Sequence, residues 1–139
     1  MLRALTLSRS LVLLRVMVAV VFLAHATVRV VNGTIPRFAG FLEDKGLPFG
    51  LAQVYAITAF ELLGGLALAV GVFRRVLSAG FFVMLTLGNV LIHFERGWFV
   101  GEHGDGGMEY SVVLQVCLLV LFADARPAAD AGVRSARRS

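Results

Sequence analysis

Cysteine is almost missing from this 139-residue chain: Cys117 stands alone. That excludes an intrachain disulfide, a CxxC redox pair and a cysteine-ligated zinc site. The residues around it, Leu114 to Leu121, are largely apolar, so it reads as a small core residue. Charge is nearly as scarce. Charged residues make up 16% of the chain against 58% hydrophobic, and the mean hydropathy is +0.84. Soluble domains are far more polar than this, and a chain of this length cannot bury four helices that are apolar all round. Four apolar runs take the place of charge: Leu11 to Val31, Leu51 to Phe73, Val76 to Phe94 and Met108 to Ala123. A helix needs about 20 apolar residues, rising about 1.5 Å each, to cross a bilayer. The first three runs meet that length. The fourth is short and must borrow from the Gly106-Gly107 loop or sit where the bilayer thins. The expected fold is an all-α transmembrane four-helix bundle in contact with the lipid bilayer. It comprises a basic N-terminal segment (1–10), a membrane domain (11–123) and a basic cytoplasmic tail expected to be disordered (124–139).

The net charge is +4 and the pI about 10.2, but the basic residues form no nucleic-acid surface. Arg3 and Arg9 precede the first run, Arg74 and Arg75 separate the second from the third, and Arg126, Arg134, Arg137 and Arg138 follow the fourth. With four crossings these regions share one side. The positive-inside rule makes that side cytoplasmic, so both termini are expected inside and the protein multi-pass in the bacterial inner membrane. The tail also suits anionic headgroups, although orientation alone accounts for it. The Ala24-His25-Ala26 triplet has the form of a signal-peptide cleavage site. Arg15 interrupts the apolar region before it and hydrophobicity continues to Val31, so an uncleaved first helix is expected.

The first loop, Asn32 to Gly50, holds Gly33, Pro36, Gly40, Gly46 and Pro48, which leave room for one short interfacial helix around Arg37 to Glu43. Arg74-Arg75 is so short a connection that the flanking runs must form an antiparallel hairpin. The third loop, Glu95 to Gly107, is rich in glycine but lacks the Lys-Ser/Thr pair of a phosphate loop. Trp98 and Phe99 read as an interfacial anchor. Glu102, His103 and Asp105 belong to a polar loop rather than a metal site.

The informative residues are ionisable ones inside apolar runs, where each costs at least about 2.5–3.5 kcal/mol unless paired or lining a cavity. At 100° per residue, Arg15, His25 and Arg29 fall within an arc of about 80° on the first helix. Thr86, Asn89 and His93 share a face of the third. Glu61 lies about 15 Å from the outer end of the second run, and a lone carboxylate there must protonate or find a cation. Arg15, Arg29 and His25 are the available partners, with Arg15 and Arg29 the expected structural charge pairing. Gly64, Gly65 and the Gly65-x-x-x-Ala69 pattern favour close helix approach, which would shorten a Glu61–Arg15 contact. Glu109 opens the fourth run, where a carboxylate also suits a helix N-terminus. Three readings follow. The groups form a buried network fixing register; or His25, Glu61, His93 and Glu109 line an outward-facing polar pocket for protons or a quinone headgroup; or His25 and His93 ligate a metal or haem. No spacing supports the third, and no metal is expected.

At these positions the chain resembles the DoxX family of small bacterial membrane proteins. The pattern runs through Leu13-Leu14-Arg15, Phe22-Leu23-Ala24-His25, Phe60-Glu61-Leu62-Leu63-Gly64-Gly65 and Gly71-Val72-Phe73-Arg74-Arg75. It continues with His93, Gly97-Trp98-Phe99 and Gly106-Gly107-Met108-Glu109-Tyr110, covering roughly Leu11 to Phe122. The chain departs from the pattern where Ala26 follows His25 and Arg29 occupies the region of a lysine. The resemblance implies a four-helix transmembrane fold and an association with membrane redox chemistry, since relatives include a subunit of a thiosulfate:quinone oxidoreductase. The expected role is therefore a non-catalytic or weakly catalytic membrane subunit of a quinone-linked or redox-defence oxidoreductase system, with quinone as cofactor. It would have a redox partner protein or a second copy as companion. The alternative is a membrane scaffold or interaction protein whose buried charges only stabilise the bundle. A small-solute carrier ranks third, because four short helices leave little room.

Overall fold

The computed structural model describes residues 6–100 and 106–125, and all regular structure among them is helical. The chain divides between Val72 and Phe73 into two compact units.

The first unit holds α1 (Leu7–Val31), α2 (Ile35–Asp44) and α3 (Gly50–Val70). α1 starts a turn before the apolar run because Leu7 to Ser10 offer nothing that breaks a helix. It stops at Gly33, which takes φ +62° and lets Thr34 N–H reach the Arg29 carbonyl at 3.1 Å. α3 ends the same way at Gly71 (φ +88°), with Val72 N–H on the Ala67 carbonyl at 2.9 Å. The expected interfacial segment is a true helix, α2, with Pro36 in its first turn, where a missing N–H costs nothing. Ala39 and Leu42 of α2 pack on Val54 of α3, with Ile35, Phe38, Phe41 and Leu47 around them. Glu43 caps α3, accepting the Gly50 N–H at 2.9 Å. The backbones meet so closely there that a Cβ on Gly50 would strike the Ala39 carbonyl.

α1 and α3 run antiparallel. Arg15 lies beside Gly71, Ala19 and Leu23 beside Gly65, and Arg29 beside Thr58 and Glu61. Gly65 is the close-approach point, where an added Cβ would sit 3.0 Å from the Leu23 side chain. The small-residue pattern thus does what such patterns do in membrane helices.

The second unit holds α4 (Arg74–Gly88), a π-turn (Asn89–His93), a 3-10 turn (Phe94–Arg96) and α5 (Glu109–Asp124). α4 and α5 are also antiparallel, with Arg74 beside Asp124 at one end and Asn89 beside Ser111 toward the other. Leu7–Val31, Gly50–Val70 and Arg74–Arg96 are each long and apolar enough to cross a membrane. α5 has 16 residues, about 24 Å of rise, less than the roughly 30 Å hydrocarbon core.

Candidate functional site

Glu61 is buried because of its place in α3. Gly50, Val54, Thr58, Glu61, Gly65 and Leu68, spaced three or four apart, make one buried stripe along the helix. A carboxylate in that stripe has to be met from a neighbouring helix. Arg29 of α1 meets it: Nη1 donates to Glu61 Oε2 at 2.5 Å and to Thr58 Oγ1 at 2.9 Å, and Nη2 lies 3.5 Å from Oε1. The side chains are 14% and 6% exposed. Thr58 passes its own proton to the Val54 carbonyl at 2.7 Å, which leaves its oxygen free to accept from Arg29. Phe38 of α2 lies over the guanidinium, 5.4 Å from ring centroid to Cζ, a cation–π contact. Each charged group therefore has its partners within one unit.

Of the two arginines expected to pair with Glu61, the structure selects Arg29. Arg15 shares its helix face but lies about 21 Å further along the axis, where α3 has already ended at Gly71. The expected Glu61–Arg15 contact is thus replaced by an Arg15–Gly71 contact, and antiparallel register is the reason. His25 is exposed. It sits about 120° around α1 from Ala19, and Ala19 is fully buried with its carbonyl against the Gly65 position. Thr58 is the functional neighbour missed in the sequence. Its signal was present, three residues before Glu61 on the same stripe.

The second unit carries a different arrangement. Thr86 donates to the Phe82 carbonyl at 2.8 Å and accepts from Gln115 Nε2 at 2.7 Å. Asn89 Nδ2 donates to Gln115 Oε1 at 3.2 Å, and the Ser111 hydroxyl donates to Asn89 Oδ1. These four neutral side chains form a ladder across the α4–α5 interface. The Thr86–Asn89 face was legible in advance, whereas Ser111 and Gln115, four apart on α5, were not singled out.

His93 closes the π-turn, in which Phe94 N–H bonds the Asn89 carbonyl five residues back. Its ring is half-buried, and Nδ1 is buried without a hydrogen-bond partner. Single π-turns inside α-helices gather at functional sites. Glu109 opens α5 as expected and accepts the Val100 N–H at 3.1 Å, while its own N–H bonds the Trp98 carbonyl at 3.1 Å. Glu109 thus pins the Trp98–Val100 segment to the start of α5. Gly107 is required there, since a Cβ would strike the Trp98 and Phe99 carbonyls.

His25 and Glu61 belong to the first unit, His93 and Glu109 to the second. Cys117 is a free, half-buried thiol. Glu102, His103 and Asp105, read as a polar loop, lie outside the described residues, as do Arg3 and Arg126 to Arg138.

A family model, DoxX, matches residues 10–94, taking in α1 to α4 and the π-turn with both Arg29 and Glu61. No curated protein and no solved structure matches the chain.

Proposed function

This chain belongs to the DoxX family, and we propose that it is a non-catalytic integral membrane subunit of a quinone-linked or redox-defence oxidoreductase system. Membership supports a membrane protein, and the family's association with oxidoreductase functions supports the system. The carrying observation is the saturation of Glu61: Arg29, Thr58 and Phe38 surround the pair within a single unit. A carboxylate so engaged holds helices together and has no spare valence for substrate. In this reading the protein crosses the inner membrane four times with both termini cytoplasmic, α5 being the short fourth crossing. Reporter fusions after Ser139 and near Gly104 should read inside and outside respectively.

The test is purification from native membranes, with identification of co-purifying proteins and extraction of bound quinone. A stoichiometric oxidoreductase partner is expected. It should be retained by the double variant Arg29→Met/Glu61→Leu, which removes both charges at once. Absence of any such partner overturns the reading.

A second reading has one observation in its favour, the unpartnered Nδ1 of His93 in its π-turn. An imidazole there suits hydrogen bonding to a quinone carbonyl or proton exchange near neutral pH. In that account His93, Glu109, His25 and Glu61 line an outward-facing pocket. His93→Gln would then abolish turnover of the assembled system while leaving assembly intact.

A further inference from the structure

Arg15 is the unexplained charge of the first unit. It takes part in no hydrogen bond or ion pair among the described residues, and its Nε is buried without an acceptor. The carboxylates of that unit are assigned or distant. Glu61 is held by Arg29, Glu43 caps α3, and Asp44 follows Glu43 at the end of α2, by the opposite end of α3. The other described arginines near membrane-helix ends contrast with it. Arg74 has Asp124 at 2.8 Å, and Arg75 lies 4.5 Å over the Phe122 ring.

The guanidinium rests in a notch made by a missing side chain. A Cβ on Gly71 would fall 2.7 Å from Arg15 Nη1, 3.1 Å from Cζ and 3.3 Å from Nη2. A helix C-terminus attracts a cation, yet Arg15 does not act as a cap. The Ala67 and Leu68 carbonyls are taken by the backbone N–H groups of Val72 and Gly71. A positive group at this helix end is thus positioned but not neutralised.

Its depth identifies what neutralises it. α3 has 21 residues, close to one hydrocarbon thickness, so its two ends lie at the two interfaces. Gly71 is at one of them, and Arg15 beside Gly71 is at headgroup level rather than mid-membrane. The residues just past Gly71, Val72 and Phe73, are exposed and apolar, as suits a turn dipping into a leaflet. A guanidinium is a planar fork that matches phosphate oxygens in geometry and charge.

We propose that Arg15, in the notch at Gly71, binds a phosphate group, supplied by an anionic lipid headgroup of the leaflet that holds the N-terminus of α1. Free phosphate presents the same oxygens, and the experiment separates the two sources.

The full chain is purified in neutral detergent and titrated with dioleoylphosphatidylglycerol in one arm and inorganic phosphate in the other. Retained lipid is read by native mass spectrometry and thermal stability by melting. One lipid per chain should persist on the wild type and drop at least tenfold in Arg15→Gln. Arg15→Lys, which keeps charge without the fork, should retain an intermediate amount. Arg9→Gln, which removes an exposed arginine of the same helix, should retain lipid like the wild type. Added lipid should raise the wild-type melting temperature and leave that of Arg15→Gln unmoved, while without lipid the two melt alike. Stabilisation by millimolar phosphate in the absence of lipid, lost in Arg15→Gln, assigns the site to free phosphate and keeps its chemistry. Equal retention by wild type and Arg15→Gln overturns the proposal, as does an equal loss in Arg9→Gln. A lipid-free melting temperature that falls in Arg15→Gln and returns in Arg15→Lys, with lipid retention unchanged, also overturns it and makes Arg15 a structural residue. Should Arg15→Gln not fold, Arg15→Lys decides by itself: undiminished lipid retention overturns the site.

Discussion

The two units solve the same problem with different chemistry. In the first, the polar content of the helix interface is one ion pair, Arg29–Glu61, in a stripe otherwise made of Val54, Gly65 and Leu68. In the second it is a run of hydroxyls and amides, Thr86, Gln115, Asn89 and Ser111, with the ion pair Arg74–Asp124 moved out to the helix end. A charged pair concentrates specificity in one contact, because neither member tolerates any other arrangement in low dielectric. A neutral ladder spreads it over four residues, each of which loses less when its neighbour goes. The first unit should therefore fail abruptly under single substitutions and the second gradually.

The sharpest break is Glu61→Gln. It leaves the Arg29 charge buried without its counter-ion, a loss of about 3–5 kcal/mol in soluble proteins, reduced in a membrane by snorkelling and water entry. Melting in detergent should show a large drop, and Arg29→Met/Glu61→Leu should recover most of it, since removing both charges together is often neutral. A double variant no more stable than Glu61→Gln would show that the pair does more than satisfy its own charges.

Asn89→Ala tests the ladder. It strips partners from Gln115 and Ser111 together, yet measured side-chain hydrogen bonds in membrane helices average about 0.6 kcal/mol and reach only about 1.7. A loss of roughly 1–2 kcal/mol is expected, well below that of Glu61→Gln. If the two losses match, the contrast between charged and neutral interfaces is wrong.

Asp124→Asn should have the smallest effect. Both side chains are about one-third exposed, and such pairs contribute about 0–1 kcal/mol, less at high salt. Comparing the variant with wild type in low and high salt should show a small difference that shrinks as salt rises. The loss from Glu61→Gln should barely respond to the same change, because its pair is buried.

The contrast also explains what was readable in the sequence. Glu61 was visible because a carboxylate among Leu62, Leu63 and Phe60 has no solvent to reach, and Gly65 because small residues at helical spacing announce close approach. The choice between Arg29 and Arg15 was not, because both share one face and only antiparallel register separates them. That register depends on where Gly33 and Gly71 end their helices and on how α2 docks on Val54. The ladder was half visible for a related reason. Thr86 and Asn89 stand out in an apolar run, while Ser111 and Gln115 open a helix where polar residues are unremarkable. His25 looked like part of the polar stripe because angular spacing places it at the edge of that face. Which edge is covered depends on where the partner helix lies, and periodicity alone does not say.

The π-turn at Asn89–His93 has a consequence for how this chain varies over time. In terms of reading frame, it is a single-codon insertion carried inside a membrane helix. Removing one codon among those for Val90, Leu91 and Ile92 restores an uninterrupted α-helix and swings everything after it by about 100°. The Thr86–Gln115 and Asn89–Ser111 bonds, made at or before the insertion, would survive. The Val100 contact of Glu109 and the orientation of His93 would not. Homologues that differ by one residue here are thus expected to keep the α4–α5 ladder while presenting a different imidazole face, and an alignment forced through this stretch without a gap will pair histidines that point in different directions.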